Sequence, residues 1–131
     1  MIMKAKKILV IERNEEVADS RADLLKDKGY DTSIGAIEAV RSGKYAGMKF
    51  DVVFYSLDVT PQGRDMILQL REQQPHAKII VYTTPFGLEY AAQTIALAGA
   101  DYLEMIKTPE QIATIIESRR SGSGTGVGFA L

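Results

Sequence analysis

Four short polar segments carry the side chains best placed to do chemistry: Glu12-Arg13, Ser56 to Asp58, Thr83-Thr84 and Met105 to Lys107. Glu12 and Asp58 bring carboxylates, Arg13 a permanent cation, and Ser56 and Thr83 hydroxyls. Such a set suits charge-based binding better than covalent catalysis. A serine is a weak nucleophile unless a base activates it, and the single histidine, His76, lies far off in the polar stretch Glu72-Gln73-Gln74-Pro75-His76. His76 reads as a solvated loop residue, and Gln69, Gln73 and Gln74 as a wet helix end. There is no cysteine, which excludes disulfides, thiolate chemistry and cysteine-held metals. No glycine-rich phosphate loop follows the first apolar run, and no Asp/His/Ser grouping is present.

Each of these segments follows an apolar run. Ile8-Leu9-Val10-Ile11, Val52-Val53-Phe54-Tyr55 and Ile79-Ile80-Val81-Tyr82 are continuous hydrophobic stretches of strand length, as strands covered on both faces require. Tyr30 to Ile34 is a weaker strand, and Tyr102-Leu103 marks a fifth. Between them lie helical patterns. One is capped by Asn14, carries Val17, Ala18, Leu24 and Leu25 along one side and stops at Gly29; a short one runs from Ala36 to Ser42. Pro61 and Gly63 read as breakers, with a third helix opening at Asp65; a fourth covers Leu88 to Ala98, and Pro109 opens a fifth that reaches about Arg120. Alternating strands and helices predict an α/β domain: a five-stranded parallel sheet, doubly wound, with ligands and reactive groups at the carboxyl ends of the strands. The four polar segments fall at those ends.

Sixteen basic residues balance seventeen acidic ones for a net charge of −1, which gives no electrostatic basis for binding nucleic acid or an anionic membrane. No apolar run is long enough to cross a bilayer, and the basic start lacks a signal-peptide core, so a cytoplasmic location is expected. Residues 1–120 form the expected domain, and 121–131 read as a Gly/Ser-rich tail or linker.

Over roughly residues 5 to 120 the chain resembles a response-regulator receiver domain of two-component, chemotaxis-receiver-like signalling. The resemblance rests on Lys6-Lys7-Ile8-Leu9-Val10-Ile11-Glu12-Arg13, on Asp51-Val52-Val53-Phe54-Tyr55-Ser56-Leu57, on Ile80-Val81-Tyr82-Thr83, and on Ala98-Gly99-Ala100-Asp101-Tyr102-Leu103. It implies the flavodoxin-like (βα)5 receiver fold. In the family, an acidic pair after the first strand holds Mg²⁺, an aspartate ending the third strand takes the phosphoryl group, and a hydroxyl and a lysine contact its oxygens.

Three of those five positions depart from the pattern. The acidic pair is Glu12-Arg13, the phosphoacceptor position is Ser56, and the lysine position is Met105, while Thr83 and Tyr102 keep the family's switch pair nineteen residues apart. The resemblance therefore implies a degenerate phosphorylation site made of Glu12, Arg13, Ser56, Thr83 and Met105, with no catalytic residue, no metal ligand and no cofactor. The expected function is a non-enzymatic pseudo-receiver working through protein contacts. A register shifted by two residues offers the alternative: Asp58 as a working phosphoacceptor with Mg²⁺. Arg13 reads either as a stand-in for the metal's charge or as an exposed arginine paired with Glu12 or Asp58. Lys107 reads as a solvated residue before the fifth helix. Ala91, Ala92, Ala96 and Ala98 make the face of the fourth helix, fifth strand and fifth helix a candidate surface for protein partners or a homodimer, unless those alanines pack inward.

Overall fold

The chain's computed structural model describes residues 6–104 and 109–117; Met105, Lys107 and the 121–131 tail lie outside them. Its elements are β1 (Lys7–Ile11), α1 (Glu15–Asp27), β2 (Asp31–Gly35), α2 (Ile37–Arg41), a 3-10 turn (Lys44–Gly47), β3 (Val52–Ser56), α3 (Pro61–Gln73), β4 (Lys78–Thr83), α4 (Pro85–Leu97), β5 (Asp101–Glu104) and α5 (Pro109–Glu117). The strands form one sheet in the order β2-β1-β3-β4-β5, with every neighbouring pair parallel. This is the doubly wound α/β architecture expected from the alternation, with β3 at its centre.

Alternation along the strands sorts the core into two layers. Ile8, Val10, Val52, Phe54, Ile80 and Tyr82 pack with Leu25 of α1 and Ile112, Ile115 and Ile116 of α5. The intervening Leu9, Ile11, Val53, Tyr55, Ile79 and Val81 pack with Met66, Ile67 and Leu70 of α3 and Ala91 and Ile95 of α4. By the same parity, Glu12 and Ser56 continue the rows of Val10 and Phe54, so they emerge on the α1 side of the sheet.

Several boundaries differ from the sequence reading, each for a local reason. Pro61 does not break the chain before α3; it occupies the helix's first turn, one turn ahead of Asp65, where its missing N–H costs nothing. Thr60 caps that helix by accepting a hydrogen bond from the Gly63 N–H at 3.0 Å. Likewise α4 begins at Pro85 rather than Leu88, with Thr84 accepting from the Gly87 N–H at 3.1 Å. The buried stripe of α1 is Ala18, Ala22 and Leu25, while Val17 is exposed. Gly29 and Gly99 end α1 and α4 in left-handed conformations, with φ of 94° and 61°. The alanines of α4 divide: Ala91 and Ala98 are core, and Ala92 and Ala96 are exposed.

Gln74 corrects another expectation. It is buried, not wet: its amide donates to the Tyr45 and Met48 carbonyls, both at 2.7 Å, and its carbonyl accepts from the Phe50 N–H at 3.0 Å. One side chain thus satisfies three backbone groups of the loop that leads into β3. Replacing Gln74 with alanine is expected to cost about 2–3 kcal/mol in urea unfolding, because those groups lose their partners. A loss below about 0.5 kcal/mol would mean that water replaces the amide without penalty.

Candidate functional site

Register brings the strand ends level. Ile11 pairs with Tyr55 and Ser56 with Tyr82, so Glu12, Ser56 and Tyr82 form a row at the carboxyl edge of the sheet. That row faces α1, where Arg21 stands on the buried stripe between the small side chains of Ala18 and Ala22. Arg21 Nη1 donates to Ser56 Oγ at 2.9 Å and to Glu12 Oε1 at 3.3 Å. Its guanidinium carbon lies 4.0 Å from the centroid of the Tyr82 ring, a cation–π distance. Glu12 is held from the other side as well, since Oε2 accepts from the Asn14 N–H at 3.0 Å. Arg21 and Glu12 are each only 13% exposed, and Ser56 is 9% exposed. The ion pair at the heart of the site is therefore largely shielded from water.

A second ion pair closes the rim. Arg13 Nη1 meets Asp58 Oδ2 at 2.9 Å, with the arginine side chain 64% exposed and the aspartate 35%. Asp58 is not part of β3, which ends at Ser56; it lies in the loop leading to α3. That loop is fixed by the Tyr55 hydroxyl, which accepts from the Asp58 N–H at 3.4 Å, and by Gly63, where a Cβ would collide with the Asp58 carbonyl. Burial pushes the Tyr55 hydroxyl up to about 12, so it stays protonated beneath the site. Beside the rim an open cleft of about 540 Å³ is lined by Glu12, Arg13, Glu15, Asp19 and Glu38 among others.

Glu12 and Ser56 are thus joined through Arg21, and Arg13 and Asp58 are joined to each other. Thr83 stands apart: its hydroxyl donates to the Thr84 carbonyl at 3.2 Å and lies against Gly87, where a Cβ could not fit. Tyr102 is partly buried against the core on the α3–α4 side. Met105 lies outside the described residues. Arg21 is the residue missed by a reading confined to strand ends. The available signal was its place three residues after Ala18 and one before Ala22, a charged side chain on an otherwise apolar helical stripe.

The strand-end carboxylates do not suit the Mg²⁺ that the family's phosphorylated pattern, and the Asp58 alternative, would require. Glu12 and Asp58, the two carboxylates at the strand ends, each already face a guanidinium. Among the described residues no group of three His, Cys, Asp or Glu side chains is placed to hold a metal ion.

A parallel five-stranded sheet in this order, with its polar cluster at the carboxyl edge, is the architecture of receiver domains. It overlays the CheY-like response regulator receiver domain protein of Methanospirillum hungatei with a TM-score of 0.73 at 22% identity, covering 87% of this chain and 92% of that one. A response regulator of Burkholderia pseudomallei, whose structure carries a phosphorylated aspartic acid and a calcium ion, matches with a TM-score of 0.68 at 28% identity, over 86% of this chain and 67% of that one. In sequence, the alginate biosynthesis transcriptional regulatory protein AlgB of Pseudomonas putida is 24% identical over 107 residues, 81% of this chain and 24% of that protein. The chain thus spans about a quarter of the length of the curated relatives it matches. No family model matches it. The chain thus has the fold of response-regulator receiver domains and is similar to them in sequence.

Proposed function

We propose that this receiver works without an aspartyl phosphate and passes its signal by protein contact. The observation that carries the reading is Ser56 at the end of β3, its hydroxyl already engaged by Arg21. A hydroxyl in that place lacks the nucleophilicity of a carboxylate, and no described residue near it is a histidine base. At the strand ends the charges pair off, Glu12 with Arg21 and Asp58 with Arg13, so neither of these carboxylates is left uncompensated to attract a divalent cation. The contact surface we assign is the face built on α4 and β5, as a homodimer or with a protein partner in the cytoplasm. Phe86 and Leu97, 70% and 81% exposed, and the exposed Ala92 and Ala96 support that assignment. No helix among the described residues is long and apolar enough to cross a membrane.

The rival reading makes Asp58 the phosphoacceptor, and its partial exposure beside the site favours it. A two-dimensional amide NMR titration with Mg²⁺ and then beryllofluoride separates the two. The expected result is no saturable shift at Ser56, Thr83 or Tyr102. Saturable shifts that an Asp58→Asn variant abolishes would establish the rival.

A further inference from the structure

We infer that Arg21 is a built-in cation that occupies the charge position of a receiver's metal ion and makes this site independent of metal. The inference rests on the pseudo-receiver reading and adds the residue responsible for it. Arg13 is the obvious candidate from sequence, yet its side chain is mostly in solvent and is spent on Asp58 outside the strand end. Arg21 instead reaches in from α1, bridges the carboxylate after β1 to the hydroxyl that ends β3, and sits over the aromatic ring of β4. Three strands are thereby tied to one helix through a single permanent charge.

Two features of the surroundings are built for that charge. Ala18 and Ala22 are buried beside it, so the guanidinium has room to pass between α1 and the sheet. Glu12 is aimed by its second oxygen, which the Asn14 N–H holds, leaving Oε1 directed at Arg21. A mobile ion can leave a site and a covalently attached one cannot, so the strand ends remain in one electrostatic state whatever the metal concentration. The consequence is specific. Restoring acidic residues at the degenerate positions is insufficient to create a metal site while Arg21 is present, because its guanidinium competes for the same oxygens.

The test uses the full chain with Mg²⁺ alone as ligand, followed by calorimetry and amide NMR. An Arg13→Asp/Ser56→Asp variant is compared with the same variant also carrying Arg21→Met, which keeps an apolar stem against Tyr82. Mg²⁺ affinity is expected to be at least about tenfold higher when Arg21 is absent. Equal affinities, or no binding by either variant, overturn the inference while leaving the pseudo-receiver reading in place. Mg²⁺ binding by the unaltered chain would instead remove the reading on which it rests. Should the triple variant fail to fold, melting temperatures decide. Ser56→Asp is expected to be tolerated beside Arg21 and to lower the melting temperature sharply in the Arg21→Met background, whereas additive shifts would refute the built-in cation.

Discussion

Replacing Arg71 with alanine is expected to destabilise the domain by about 3–5 kcal/mol, among the largest effects of any single substitution away from the apolar core. Arg71 lies in the last turn of α3, and its guanidinium gathers carbonyls from both helix ends at the amino edge of the sheet. Nε donates to the Ala98 carbonyl at 2.6 Å and Nη2 to Gly99 at 3.3 Å, at the end of α4. Nη1 contacts the carbonyls of Gln74, Pro75 and Ala77 at 3.0, 3.1 and 2.9 Å, along the connection from α3 to β4. Carbonyls at helix carboxyl ends lack intrahelical partners and carry the negative end of the dipole, so a cation there satisfies both needs. Without it those oxygens must find water in a half-buried setting. Lysine should recover less than half of the loss, because one ammonium cannot span acceptors fanned across two helix ends. Urea unfolding of the wild type, Arg71→Ala and Arg71→Lys measures this. A lysine variant as stable as the wild type would show that charge alone matters and that the fan of hydrogen bonds does not.

Arg71 and Arg21 define what could be read from the sequence and what could not. Strand runs such as Val52-Val53-Phe54-Tyr55 are covered on both faces, so continuous hydrophobicity marked them directly, and five alternations fixed the architecture. The order of strand ends also followed, placing Glu12, Ser56 and Thr83 at one edge. What escaped were polar side chains whose partners are distant backbone or side-chain atoms. Arg71 and Gln74 look like ordinary helix-surface residues until the neighbouring elements are docked, and Arg21 shows in the sequence only as a charge on an apolar stripe, without its partners. The helix starts failed differently. Thr60-Pro61-Gln62-Gly63 and Thr84-Pro85-Phe86-Gly87 are the same local device: a threonine cap, proline in the first turn, and a glycine that lets the turn press on the preceding loop or strand end. Taking Pro61 and Gly63 as breakers, and starting the fourth helix only at Leu88, hid that both segments begin helices.

At the opposite edge of the sheet from the site, Asp101→Asn is expected to cost about 3 kcal/mol near pH 7, and the cost is expected to shrink as pH rises towards 9. Lys78 and Asp101 begin β4 and β5, are 5% and 3% exposed, and approach to 3.9 Å. Burial lowers the Lys78 pKa below its usual 10.5, and the opposing pull of Asp101 offsets that only in part. Between the folded value and 10.5 the unfolded chain therefore binds more protons, and this group's contribution makes stability rise with pH across that window. Removing the aspartate's charge deepens the depression and extends the window downward. The variant then regains stability at mildly alkaline pH as Lys78 sheds its proton, so its deficit against the wild type narrows. The comparison belongs below pH 9.5 or so, because the tyrosines act in the other direction. Tyr30 and Tyr55 are both raised to about 12, so what they contribute is present below pH 10 and is lost as pH climbs from 10 to 12. Urea midpoints at three pH values for the wild type, Asp101→Asn and Lys78→Met/Asp101→Leu test the argument. The apolar pair is expected within about 1 kcal/mol of the wild type, since desolvation of a buried ion pair consumes most of its Coulomb attraction. A deficit for Asp101→Asn that stays constant with pH would mean that Lys78 keeps its proton without the aspartate and is solvated more fully than its burial implies.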